Sequence, residues 1–136
     1  MAAVTELILV EESGALSFGN HTLEAKAKVE DFGYAGDVFK VKTYKTMTKL
    51  EKNGMFVYES VPGTSVNHFK ETENGVSFVV EGTEDAQLTI GLEDMAEYQV
   101  FINDANVGTM KTHVGGKLSV SVELAGAGEV KVEIRK

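Results

Sequence analysis

Lys117-Leu-Ser-Val-Ser-Val-Glu-Leu124 and, beyond Gly126-Ala127-Gly128, Val130-Lys-Val-Glu-Ile-Arg135 decide the fold class of this chain. Leu118, Val120, Val122 and Leu124 alternate with Ser119, Ser121 and Glu123; Val130, Val132 and Ile134 alternate with Lys131, Glu133 and Arg135. A period of two places each apolar set on one face of an extended strand, whereas a helix would scatter it around its circumference. The glycine-bracketed break between the runs reads as a hairpin turn. The expected class is all-β.

The same alternation recurs upstream. Phe39, Val41 and Thr43 alternate with Lys40, Lys42 and Tyr44, and Leu88 with Ile90 and Tyr98 with Val100 and Ile102 mark two further strands. Asn53-Gly54 and Asn74-Gly75 are two-residue hairpin signals, since both residue types accept positive φ. The first precedes Met55 to Val61, and the second joins Val66–Phe69 to Val76–Glu81. Leu16 and Phe18 follow a Ser13-Gly14 turn, while Thr5 to Val10, apolar on both faces at its centre, reads as a strand inside a packed structure. Thr22 to Glu30 suits either a strand or a helix rich in Ala, Leu, Glu and Lys. Its unbroken alternation favours the strand, with Leu23, Ala25, Ala27 and Val29 inward. Further turns are expected at Asp104-Ala105-Asn106 and Gly115-Gly116. About twelve short strands at this spacing suit an antiparallel sandwich. Pro62-Gly63 is the expected boundary between an N-terminal β subdomain, 1–62, and a β-sandwich subdomain, 63–136, on which it packs.

Composition narrows the function classes. The 136 residues include no cysteine, which excludes disulfides, thiolate metal sites and cysteine nucleophiles and fits a reducing compartment. Met1 to Leu7 carries no basic leader and Leu7 to Val10 is too short to span a bilayer, so a cytoplasmic location is expected. The formal charge of −8 opposes nucleic acid and anionic membranes as partners. Charge is unevenly spread. Nine acids and no Lys or Arg lie between Glu71 and Asp104, and five lysines (40, 42, 45, 49, 52) against Glu51 alone lie between Lys40 and Lys52. Two solvated faces account for this, or self-association of one segment with the other in a second copy.

Leu92-Glu-Asp-Met-Ala-Glu-Tyr98-Gln-Val100-Phe-Ile102 resembles the E–F corner of fibronectin type III and related immunoglobulin-like domains, in which a Leu precedes a Tyr by six residues. The resemblance implies that the Tyr98 hydroxyl bonds to backbone a few residues upstream, and that the C-terminal half is immunoglobulin-like. That family carries a buried Trp, and this chain has none. The whole chain also looks like small bacterial all-β proteins loosely labelled endosialidase. The residues oppose that activity: sialic acid recognition clamps a carboxylate with several arginines, and this chain has Arg135 alone.

No catalytic constellation is expected. His21, His68 and His113 stand far apart and read as unrelated surface or turn residues, with no metal-ligand spacing. No nucleophile elbow, phosphate loop, EF-hand loop or dinucleotide fingerprint is present, and no cofactor is expected. Glu59 and Glu81, ending comparable strands, would be the first carboxylate pair to consider for glycoside chemistry. Met55, Phe56, Val57 and Tyr58 form a strand apolar on both sides, with Phe56 and Tyr58 on one face. Core burial explains the strand, and so does an exposed strip for a partner protein or a sugar ring. The expected function is a non-catalytic binding or assembly module that self-associates or binds another protein; the alternative is a carbohydrate-binding or carbohydrate-active protein.

Overall fold

A computed structural model of the chain describes residues 3–136 and shows two antiparallel sheets packed face to face as a sandwich. One sheet holds β1 (Ile8–Val10), β2 (Leu16–Phe18), β7 (Ser65–Thr72), β8 (Gly75–Glu81), β13 (Val130–Arg135), β10 (Glu97–Ile102) and β11 (Ala105–Lys111), in that spatial order. The other holds β12 (Lys117–Val122), β9 (Ala86–Gly91), β6 (Met55–Val61), β5 (Thr48–Lys52), β4 (Asp37–Thr43) and β3 (Ala27–Tyr34). No helix among the described residues is long and apolar enough to cross a membrane.

Alternation tracks burial closely where the sequence is most regular. Leu118, Val120 and Val122 are buried between exposed Lys117, Ser119 and Ser121, and Val130, Val132 and Ile134 point inward. These two strands do not form a hairpin, however. β12 pairs with β9 and β13 with β8 and β10, so the 123–129 loop crosses from one sheet to the other. Alternation reports which face is buried, and says nothing about which strand lies alongside.

Strands from both sides of Pro62 share each sheet: β2 pairs with β7, and β6 with β9. A single apolar cluster runs from Ile8 to Ile134. Residues 63–136 supply seven strands. The last, β13, enters the larger sheet between β8 and β10, whereas an immunoglobulin-type order places it with the third and sixth strands.

Four aromatic rings fill the middle of the core. Phe18, Phe69 and Phe78 come from the seven-stranded sheet, and Tyr58 reaches them from the six-stranded one. Tyr58 meets Phe18 and Phe78 edge-on at centroid separations of 5.3 and 5.6 Å, the geometry that the ring quadrupoles prefer. Its buried hydroxyl needs a partner and finds Thr64 Oγ1 at 2.8 Å. Thr64 also meets Ser60 at 2.8 Å, and its carbonyl accepts from Thr48, which meets Thr43 at 2.8 Å. Burial pushes the Tyr58 phenol above its ordinary pKa.

Four local expectations need correction. Thr22 to Lys26 is turn and coil, and the strand begins at Ala27, because Ala25 is exposed and Leu23 only half-buried. Thr5 to Val10 is not an inner strand: β1, Ile8–Val10, is three residues long and lies at the sheet edge, with Val10 36% exposed. The turn after Ile102 is Asn103-Asp104, both at positive φ, and Ala105 already pairs with Ile102 in β11. At the second Asn-Gly signal the turn is Glu73-Asn74, and Gly75 opens β8 opposite Thr72. A Cβ at residue 75 would collide with the Ile134 carbonyl of β13.

Candidate binding surface

One β-bulge divides the aromatic strip. Tyr58 pairs with Leu50 but Phe56 pairs with Glu51, so Val57 is an extra residue in β6. The bulge turns Tyr58 inward with Leu50 and leaves Phe56 on the outer face with Glu51. Val57 and Tyr58 are core residues, 4% and 0% exposed, and Phe56 is half-buried. Met55, 71% exposed, sits beside the Asn53-Gly54 turn. The expectation that Phe56 and Tyr58 share a face is therefore overturned by one residue of register.

The outer face that Phe56 joins carries an ordered row of polar side chains. Lys28 lies opposite Lys42, Lys42 opposite Lys49, Lys49 opposite Glu59, Glu59 opposite Thr89 and Thr89 opposite Ser119. This row crosses all six strands in unbroken register, spanning about 24 Å at ordinary strand spacing. Directly opposed like charges on a sheet repel and destabilise it, yet three lysines stand side by side here. A neighbouring row holds Lys40, Glu51, Phe56 and Lys117, with Phe56 lying over Gly91. Lys117 Nζ sits 4.5 Å from the Phe56 ring centroid.

Counter-charge on these rows is incomplete. Glu30 meets Lys28 at 3.7 Å and Lys40 at 3.6 Å, and Glu51 meets Lys49 at 3.5 Å. Lys42, between two other lysines, has no ion-pair partner among the described residues. Other lysines are matched: Lys45 with Glu24, Lys52 with Glu71, Lys131 with Asp104 and Lys136 with Glu93. Three of the nine acids between Glu71 and Asp104 are thus neutralised within the chain. Sequence reasoning singled out Lys40, Lys42 and Lys49 but missed Lys28 and Lys117, which only strand order brings alongside.

A second polar cluster sits where β7 bulges. His68 adopts φ +57°, and the Glu11 carboxylate accepts from its backbone N–H and from ring Nδ1, each at 2.7 Å. The Ser17 hydroxyl also donates to Glu11. Burial alone would raise the Glu11 carboxyl, but the bonds from Ser17 and His68 outweigh it and hold it below the ordinary carboxylate value. A cleft of about 390 Å³ opens beside the pair, between Val4, Leu9 and Asn67. The pair clasps the β1–β2 turn to β7, and no group of three metal-ligating side chains occurs among the described residues.

The remaining expected residues stay apart. Glu59 is on the outer face of the six-stranded sheet, and Glu81 ends β8 in the other sheet opposite Ser65. His21 Nδ1 lies 2.6 Å from Ser65 Oγ, and Glu81 Oε1 is buried without a hydrogen-bond partner. Ser65 is fully buried, so no substrate reaches that hydroxyl. Burial lowers the His21 pKa, opposed by the Glu81 charge. His113 is exposed. Tyr98 is 2% exposed and its hydroxyl accepts from the Glu93 backbone N–H at 3.2 Å, while Leu92 packs half-buried on the core.

The fold and its outer face define a β-sandwich with a lysine-rich sheet surface. The chain matches no family model, no curated protein and no solved structure.

Proposed function

We propose that the protein is a non-catalytic binding and assembly module whose contact surface is the outer face of the six-stranded sheet and whose partner is a second copy of the chain. The observation that carries this reading is the Lys28–Lys42–Lys49 row, three directly opposed lysines of which Lys42 has no ion-pair partner among the described residues, on a chain of charge −8. Folding alone gives no reason to oppose three lysines, whereas an acidic partner surface would neutralise them. Phe56, with Val38 exposed on the same face of the sheet, supplies apolar area that surface charges alone lack. The cysteine-free composition suits action in the cytoplasm.

Light scattering over a salt series tests the reading. A dimer or larger species at low salt should partly dissociate as salt screens the lysines. A monomer at every protein concentration would reject self-assembly. A salt-insensitive oligomer would leave the apolar residues as the contact and remove the charges from the account.

One observation favours a second reading. The bulge that turns Phe56 outward places an aromatic ring on the face that carries the Thr89 and Ser119 hydroxyls, which lie 3.2 Å apart. A sugar ring could stack there and bond to the hydroxyls. Binding on a glycan array, lost in Phe56→Ser, would favour carbohydrate recognition.

A further inference from the structure

The lysine row has a counterpart elsewhere on the molecule. A groove of about 700 Å³ opens where β9, β10, β12 and β13 meet their loops. Its apolar wall includes Ile102, Val107 and Val130, and its rim carries Asp85, Glu123 and Asn103. Exposed Glu84 precedes Asp85, and Asp104 follows Asn103. Lys131 is spent on Asp104, and the Asp85 carboxylate caps the Leu124 and Ala125 amides at 3.0 and 3.1 Å. Glu84 and Glu123 have no cationic partner among the described residues. Val107, 52% exposed, leaves apolar surface open at the mouth.

The two surfaces lie toward opposite edges of one sheet. Lysines cluster on β3, β4 and β5, whereas the groove begins at the β9–β12 edge with Gln87 and Ser121. From Lys42 on β4 to β12 is four strand spacings, about 19 Å. That exceeds the screening length of about 8 Å at physiological salt, so the surfaces cannot neutralise each other within one copy. Opposite charges on different patches of one molecule fit the next copy, and such heterologous contacts repeat head to tail.

Resting on the self-assembly reading, we propose that copies join head to tail, the lysine row of one covering the acid-rimmed groove of the next. Phe56, whose ring centroid lies 5.9 Å from Lys49 Nζ, is the apolar residue beside that row and meets the groove's apolar wall. Each copy then keeps one free surface of each kind, so assembly continues past the dimer until a ring closes or the chain of copies ends.

Two surface variants separate the arrangement from the reading beneath it. Lys28→Thr/Lys42→Thr removes two of the three opposed lysines, and Glu84→Gln/Glu123→Gln removes the two unpaired acids beside the groove without touching the Asp85 cap. Light scattering at low salt should show wild-type mass growing beyond the dimer with concentration. Each variant alone should stay monomeric, and an equimolar mixture should form a dimer and stop there, since each partner has one working surface. A wild-type species that stops at a dimer, or a mixture that stays monomeric while wild type assembles, would overturn head-to-tail joining and leave self-association standing. A monomeric wild type would overturn both. Far-UV circular dichroism unchanged from wild type confirms that the variants fold.

Discussion

Tyr58 and Phe56 lie two residues apart on β6, and the two surfaces of their sheet follow opposite rules. On the inner surface every buried polar group near Tyr58 is answered: its hydroxyl by Thr64, Thr64 by Ser60 and Thr48, Thr48 by Thr43. On the outer surface Lys42 stands between Lys28 and Lys49 with no carboxylate of its own. The inner arrangement stabilises the fold, and the outer one costs stability. A surface that the fold holds against its own electrostatics is where a partner gains most by binding.

The inner surface should break hardest. Leu50→Ala removes a fully buried side chain packed beside Tyr58 and should cost about 2–5 kcal/mol, read as a lowered urea midpoint. A loss within error would mean that this part of the core refills. Tyr98→Phe should cost about 1–3 kcal/mol, because the Glu93 amide loses its acceptor. An unchanged midpoint would reduce Tyr98 to an ordinary strand residue.

The outer surface should respond in the other direction. Lys42→Thr should stabilise the monomer at low salt by about 0.2–1 kcal/mol, read as a raised urea midpoint, by removing two cross-strand repulsions and placing a β-branched residue in the strand. The gain should shrink as salt is added. Destabilisation at low salt would mean that the lysines are compensated after all.

The smallest expected effect is one of slope. Burial lowers the His21 pKa below its ordinary 6.5, so as pH falls the unfolded chain takes up that proton before the folded one. Stability from this group is therefore complete above about pH 6.5 and declines below it. His21→Asn should reduce the difference between urea midpoints at about pH 7.5 and about pH 5.5. An identical difference in both proteins would show that His21 titrates alike in both states.

The limits of what the residues disclose follow the same division between inner and outer surfaces. β12 and β13 are legible because burial follows their alternation, yet their placement in separate sheets is not, since a strand's pattern carries no partner identity. β11 is illegible for a different reason: Ala105 to Lys111 is exposed or half-buried along its whole length, so no apolar face marks it. Phe56 was assignable to a strand but not to a face, because a single bulge reverses the parity of everything beyond it. Lys40, Lys42 and Lys49 were visible as a basic segment. Their alignment with Lys28, and with Lys117 across Phe56, depends on strand order and register that only tertiary pairing sets.

The central claim is that the outer face of the six-stranded sheet is covered when the protein assembles. Amine acylation of the wild-type protein, read by mass spectrometry lysine by lysine at fixed low salt across a dilution series, tests it directly. Lys28, Lys42 and Lys117 should label slowly in concentrated solution and faster on dilution, while Lys111 on the other sheet labels equally throughout. Labelling of Lys42 that is independent of concentration, in a solution where assembly is present, would contradict the claim.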